Sequence, residues 1–119
     1  MNSIIDLDYL ESLIEGYEED RAEFLEMMIE TFLEEMPKEL KNLELHYKNG
    51  DWDSVQKNAH KIKSMIASMG MKETLEIINK IELCAETEEL DLIKEMILEV
   101  KIRCEIAFEE SNQILKELK

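Results

Sequence analysis

Helix-breaking residues are scarce in this sequence, which has only one proline and three glycines among 119 residues. Good helix formers, such as Glu, Leu, Lys, Met and Ile, are abundant instead. No apolar run approaches the about 20 residues that a membrane-spanning helix needs. The N-terminus also lacks the basic and apolar segments of a secretory signal. We therefore expect a helical protein of the cytoplasm, with no membrane partner.

Basic residues and cysteines are also few. The chain has 14 lysines and arginines against 29 acids, which gives a formal net charge of -15 at pH 7. Such a surface repels polyanions, and this argues against nucleic acid as a partner. Cys84 and Cys104 form no CxxC pair and have no metal-ligand spacing. We expect both thiols to be reduced and buried, and we expect no metal site in the chain.

The apolar residues, 45% of the chain, recur at helical spacing throughout. Together with the length of the chain, they predict one domain, residues 1–119, with a single core. The predicted helices cover residues 7–15, 20–48, 51–70, 72–86 and 87–118. Pro37 is expected to bend the second helix without dividing it, and Asn49–Gly50 to end it.

Local signals mark several helix ends. Asp6, Asp51 and Thr87 are suited to cap the starts of the first, third and fifth helices. Gly16 and Gly70 stand at the expected ends of the first and third helices. The inward residues of the first helix are expected to be Leu7, Leu10 and Leu13 or Ile14.

Apolar stripes on the third and fifth helices indicate how the helices pack. The stripe of the third helix consists of Val55, Ala59, Ile62, Ile66 and Met69. The seam of the fifth helix consists of Ile93, Ile97, Val100, Cys104, Ala107, Ser111, Ile114 and Leu118. These stripes favour an all-α fold, an antiparallel up-and-down four-helix bundle with an additional short N-terminal helix. The seam of the fifth helix would also suit a two-stranded coiled coil, which stays open as an alternative.

The segment from Ser54 to Lys72 contains no aspartate and no glutamate, although acids dominate the rest of the chain. We call it the basic window, because it holds Lys57, His60, Lys61, Lys63 and Lys72. Histidine can act as a nucleophile or proton carrier near neutral pH. Lysines around it would attract an anion and stabilise a phosphoryl group. The basic window is therefore the best candidate for a functional site.

Helical geometry predicts that His60 points outward from the third helix. At about 100° per residue, His60 lies roughly 140° from the centre of the apolar stripe. Lys57, Lys63, Ser64 and Ala67 fall within about 60° of His60 by the same geometry. The small Ser64 and Ala67 would let another protein approach. An exposed histidine among lysines is also typical of an ordinary solvated helix face, and that interpretation stays open.

The segment Ala59–Met71 resembles the signature of histidine-containing phosphotransfer (HPt) domains, with Lys63 and Gly70 following His60 at the family's spacings. Upstream, residues 23–25, 31–37 and 50–52 look like the family's second helix and the turn into its third. The resemblance covers roughly residues 5–85. The sequence departs from the family's common pattern at Ser64 and Met65, where Gly and Ser are usual.

The resemblance implies a phosphorelay carrier of two-component signalling, without kinase activity of its own. His60 would accept a phosphoryl group from the phosphoaspartate of a response-regulator receiver domain and pass it to another receiver. Lys63 would stabilise the transferred charge, Lys57, Lys61, Ser64 and Ala67 would meet the partner, and Gly70 would be structural. Mg²⁺ would belong to the receiver, and the carrier would need no cofactor. A hybrid histidine kinase is a possible further partner, and we expect a monomer.

Other function classes fit the sequence less well. A receiver-binding module of the same fold that no longer transfers phosphate is the first alternative, and an unrelated helical scaffold is the second. A sensor-kinase dimerisation domain usually has an acid directly after its histidine, where this chain has Lys61. No Gly-rich nucleotide loop is present, which argues against ATP binding.

Overall fold

The computed structural model describes residues 4–13, 20–87 and 89–118, and all of their regular structure is helical. The helices are α1 (Leu7–Ser12), α2 (Arg21–Lys48), α3 (Trp52–Ser68), α4 (Lys72–Thr87) and α5 (Ile93–Leu118). A short 3₁₀ turn, Leu90–Leu92, leads into α5. The second predicted helix is indeed one element, because α2 continues through Pro37.

Helices α2 to α5 form a four-helix bundle in which each long helix packs against two others. α3 and α5 each contact both α2 and α4, so α3 and α5 lie diagonally across the bundle. Short connections join α2 to α3 and α3 to α4, as expected for antiparallel neighbours. The predicted all-α bundle with a short N-terminal helix is confirmed.

The bundle core contains the residues that the periodicity predicted. On α3 the whole stripe is buried, from Val55 to Met69. On α5 the seam is buried from Ile93 to Ser111, and Ile114 and Leu118 pack against the core. A seam inside its own bundle cannot also form a two-stranded coiled coil, so that alternative is wrong. Cys84 and Cys104 are free and buried, and burial raises the pKa of the Cys104 thiol to about 12.

The caps at Asp6 and Asp51 are confirmed. The Asp6 carboxylate accepts a hydrogen bond from the Tyr9 amide at 3.0 Å, and Asp51 accepts one from the Ser54 amide at 3.2 Å. The Ser54 hydroxyl also donates to Asp51 at 2.6 Å. These two bonds from Ser54 lower the pKa of the Asp51 carboxyl, the hydroxyl bond having the larger effect.

The predictions for α1 and for the start of α5 need correction. Leu10 is buried as predicted, but Leu7 and Leu13 are 40% and 44% exposed, and Ile5, which precedes the helix, is buried in the core. A six-residue helix is too short to bury apolar residues on several turns, and Leu10 is the residue that α1 buries. Ile14 and Gly16 lie outside the described residues. Thr87 does not cap α5, because it ends α4 and its hydroxyl donates to the Leu83 carbonyl at 3.0 Å.

Two glycines shape the turns on either side of α3. Gly50 and Gly70 both have a φ of 66°, in the left-handed region that favours glycine. The Gly70 amide donates to the Ala67 carbonyl, and the Met71 amide donates to the Ile66 carbonyl. This pattern is a Schellman motif, which ends the helix and reverses the chain. Gly70 thereby stands at the turn of the α3–α4 hairpin.

Candidate functional site

His60 lies on the solvent side of α3, as helical geometry predicted. Its side chain is 70% exposed, whereas its neighbour Ala59 and the residue two positions on, Ile62, are fully buried. Ser64 and Ala67, one and two turns further along α3, are also exposed. The imidazole is thus open to a second protein, with small side chains beside it.

A glutamate from the neighbouring helix holds both His60 and Lys63. Glu82 on α4 places Oε1 3.3 Å from His60 Nδ1 and Oε2 3.1 Å from Lys63 Nζ. The Glu82 side chain is only 21% exposed, so the contact is partly shielded from water. One carboxylate therefore bridges the two residues that the sequence singled out.

This contact decides which ring nitrogen of His60 is available for chemistry. A carboxylate can only accept a hydrogen bond, so the Nδ1 atom that faces Glu82 carries the proton. In a neutral imidazole the other nitrogen, Nε2, then has the free electron pair. The contact thus leaves Nε2 as the ring nitrogen with a free electron pair, on a highly exposed side chain.

The basic window is balanced by acids in space, although it contains none in sequence. Lys57 pairs with Asp53 at 3.0 Å within α3, and Lys61 pairs with Glu39 of α2 at 3.0 Å. With the Lys63–Glu82 pair, each of these three lysines has a carboxylate from outside the window. The acids that pair with these lysines are Asp53, just before the window on α3, and Glu39 and Glu82 on the adjoining helices.

Glu39 also fixes α3 against α2 beside the site. It is buried, and its Oε2 accepts a hydrogen bond from Nδ2 of the buried Asn58 at 2.8 Å. Its other oxygen, Oε1, meets Lys61. A buried carboxylate with two partners of this kind tolerates little displacement, because losing either partner leaves a buried charge less compensated. Asn58 and Lys61 lie two residues before and one residue after His60, so their bonds to Glu39 hold α3 in register at the position of His60.

An apolar groove opens between α2 and α3, towards the C-terminal end of α3. It has a volume of about 350 Å³. Its lining residues are Phe24, Met27, Met28, Thr31, Phe32, Met65, Ser68 and Met69. Ser68 lies about 12 Å beyond His60 along the axis of α3, at 1.5 Å per residue. One protein docked over His60 could therefore cover the groove as well.

Comparison with known protein families decides the class of this site. The Hpt domain model matches residues 27–118, a span that includes α3, α4 and α5. The chain belongs to the Hpt domain family. Its general function is therefore that of a histidine phosphotransfer carrier in a phosphorelay.

A solved structure supports the same fold for this Hpt domain. The chain is similar to histidine-containing phosphotransfer protein B (HptB) from Pseudomonas aeruginosa PAO1, with a TM-score of 0.85 and 20% sequence identity. The match covers 98% of each chain. No curated protein sequence matches the chain.

Among residues 4–13, 20–87 and 89–118, no group of three or more His, Cys, Asp or Glu side chains could hold a metal ion. In the same part of the chain, no helix combines the length and apolar character needed to cross a membrane.

Sequence reasoning missed Glu82 and Glu39. The α3–α4 hairpin could have pointed to Glu82, because His60 and Glu82 are the same number of residues from Met71 in the turn. Antiparallel packing of the two helices therefore places them side by side. Glu39 and Lys61 are likewise equally distant from Gly50 in the α2–α3 hairpin. The chain has 29 acids, and the sequence feature that distinguishes Glu82 and Glu39 is their position opposite His60 and Lys61 across a helical hairpin.

Proposed function

We propose that His60 accepts a phosphoryl group from the phosphoaspartate of a receiver domain and passes it to a second receiver. The observation that carries this proposal is the Nδ1 contact with Glu82, on an imidazole that is otherwise open to solvent. An anchored ring with one protonated nitrogen presents the other nitrogen to a partner in a fixed direction. That is what an in-line displacement at phosphorus requires.

In this proposal the Nε2 electron pair of His60 attacks the phosphorus of the acyl phosphate. An N–P bond forms, the O–P bond to the receiver's aspartate breaks, and that aspartate leaves as a carboxylate. The phosphorylated ring keeps its Nδ1 proton and carries a positive charge, which the Glu82 carboxylate stabilises across the 3.3 Å contact. The reverse reaction delivers the phosphoryl group to the next receiver, with no net change in protons.

Lys63 supplies positive charge for the phosphoryl oxygens. Its Nζ lies 3.1 Å from Glu82 in the free protein, so its charge is held at the site before a partner arrives. Negative charge spreads over the equatorial phosphoryl oxygens in the transition state, and a nearby ammonium lowers its energy. Lys57 and Lys61 are weaker candidates for this role, since each pairs with a carboxylate other than Glu82.

We propose that the receiver docks over His60, Ser64 and Ala67 and reaches the α2–α3 groove. A typical interface covers about 800 Å² on each partner, which is wide enough to include both. Met27 is 61% exposed at the edge of this groove, where a partner would bury it. Mg²⁺ would be supplied by the receiver. The carrier would act as a monomer in the cytoplasm, and a hybrid histidine kinase could carry the donor receiver.

The experiment is phosphoryl transfer from a panel of phosphorylated receivers from the same genome. We expect at least one receiver to give an acid-labile, base-stable label on the wild-type protein and no label on His60→Gln. His46→Gln is the matched control, because His46 lies on α2 and should not affect labelling. A label that persists in His60→Gln would refute the assignment. Receiver binding without any label would support the alternative, a module that binds receivers but does not transfer.

A further inference from the structure

The outer face of α5 has an apolar row that remains largely exposed among the described residues. Leu98 and Ile102 are 57% and 50% exposed, and the half-buried Ile106 continues the row. Ile102 points directly away from the core, since it lies about 180° from the centre of the buried seam at 100° per residue. Together with Ile4, these residues line a groove of about 570 Å³. We call Leu98, Ile102 and Ile106 the outer row.

Acids stand on both sides of the outer row. They are Glu95, Glu99, Glu105 and Glu109, which are all exposed. Their positions are symmetric in sequence about Ile102: Glu95 mirrors Glu109, and Glu99 mirrors Glu105. The cations of this part of α5 lie towards its flanks, where Lys101 pairs with Glu44 and Arg103 pairs with Glu73 and Glu99. The centre of the outer row is thus apolar with an acidic border.

This symmetry argues against a second copy of the chain as the occupant. In a two-fold antiparallel pair of α5 helices crossing at Ile102, each residue meets the residue at its mirrored position. Glu95 would then face Glu109 of the other copy, and Glu99 would face Glu105, twice each. The net charge of -15 on each copy adds to the repulsion.

We propose that the outer row of α5 binds a basic amphipathic helix of a partner protein. Such a helix would present apolar residues at helical spacing to Leu98, Ile102 and Ile106, and lysines or arginines to the acidic border. Apolar contacts of this kind supply affinity, and the opposite charges set the register and exclude acidic competitors. The acids that prevent self-association are the same ones that recognise this partner.

The outer row is separate from the phosphotransfer site. α3 and α5 lie diagonally across the bundle, and both His60 and Ile102 point away from the core. A receiver on α3 and a basic helix on α5 would therefore occupy opposite sides of the protein. The proposal predicts that both bind at the same time, so it does not depend on the transfer competence of His60.

The test uses a synthetic helical peptide of about 20 residues, long enough to span the outer row. In the test peptide the leucines lie on one face of the helix and the lysines lie on both sides of that face. The control peptide has the same composition, but its scrambled order places the leucines all around the helix. Isothermal titration should show binding of the first peptide only, and the binding should weaken as salt increases. Ile102→Asp should weaken it at least about tenfold, because it places an acid at the centre of the interface.

Leu83→Asp is the matched control, since Leu83 is 58% exposed on α4 and lies outside the outer row. It should bind the peptide as the wild type does. A double variant, Glu95→Lys with Glu109→Lys, should lose the basic peptide and gain a peptide with glutamates in place of the lysines. The proposal would be overturned if the scrambled peptide bound as tightly as the first peptide. It would also be overturned if neither Ile102→Asp nor the double charge reversal changed the affinity for the peptide. A wild-type dimer in sedimentation that Ile102→Asp dissociates would overturn it as well.

Discussion

His60 and Glu82, which are 22 residues apart in the sequence, meet across the α3–α4 hairpin with 3.3 Å between Nδ1 and Oε1. The same carboxylate holds Lys63 through its second oxygen. A single acid thus contacts both the imidazole ring and the ammonium group. Any change at Glu82 should therefore affect both groups.

We expect Glu82→Ala to slow phosphoryl transfer to His60 by about tenfold or more, because a hydrogen bond to a charged group contributes about 1.5–3 kcal/mol. Glu82→Gln should slow it less, since an amide oxygen can still accept the Nδ1 proton although it cannot balance a charged ring. Single-turnover transfer from a phosphorylated receiver would measure both rates. ¹⁵N chemical shifts of the ring should show loss of the Nδ1-protonated form in Glu82→Ala. Unchanged rates and shifts would exclude this role of Glu82.

Lys63→Ala should slow transfer about tenfold by removing the positive charge that Glu82 holds beside His60. Lys63→Arg should restore part of the rate, because it keeps the charge. Lys57→Ala is the control: Lys57 is also about one turn from His60 but pairs with Asp53, so its loss should matter less. The same single-turnover assay applies, together with circular dichroism to check the fold. An equal loss in both alanine variants would point to a diffuse effect of surface charge.

The long helices of this protein could be predicted from sequence because their signals are local and repeated. The stripe from Val55 to Met69 covers about four turns of α3 including its C-cap, and every one of its positions is buried. The Asp6 and Asp51 caps depend on a neighbour only three residues away. The prediction that Thr87 caps α5 was wrong because a threonine hydroxyl can also donate to a carbonyl in the preceding turn of its own helix, here that of Leu83. The sequence alone does not decide between a bond to the preceding turn and a cap of the following helix.

The sequence predicted those features of the site that depend on α3 alone, and it did not predict the contacts between α3 and its neighbouring helices. The exposure of His60 follows from the period of α3 alone. The contact with Glu82 depends on how α3 and α4 face each other, and so does the charge balance of the basic window. A window free of acids in sequence therefore says little about the charge around it in a bundle, where each helix meets two others.

Met27→Asp should weaken the productive encounter with a receiver without changing the chemistry. An acid at the edge of the α2–α3 groove would have to be desolvated against an apolar partner surface. We expect the receiver concentration for half-maximal transfer to rise about tenfold, with an unchanged maximal rate. Leu98→Asp is the control, because Leu98 is similarly exposed but lies on α5, outside the α2–α3 groove. If both variants behave alike, the receiver does not use the groove.

Replacing Gly70 and Gly50 by alanine separates backbone strain from packing, because both residues have the same φ of 66°. Nothing lies within 4 Å of a Cβ at Gly50, so Gly50→Ala should cost only the left-handed strain, about 1 kcal/mol of the free energy of unfolding. A Cβ at Gly70 would lie 2.9 Å from Tyr9 Cδ1 and 3.0 Å from Asp6 Cβ. Gly70→Ala must therefore also displace the start of α1.

We expect that displacement to add about 1–2 kcal/mol, since overpacking forces neighbouring atoms to move. Urea denaturation of the wild type and both variants would measure the difference through the transition midpoints. If Gly70→Ala lowers the free energy of unfolding no more than Gly50→Ala does, the start of α1 moves aside without a measurable loss of stability. In that case the left-handed turn alone, and not the packing of α1 on it, would account for the glycine at the end of α3.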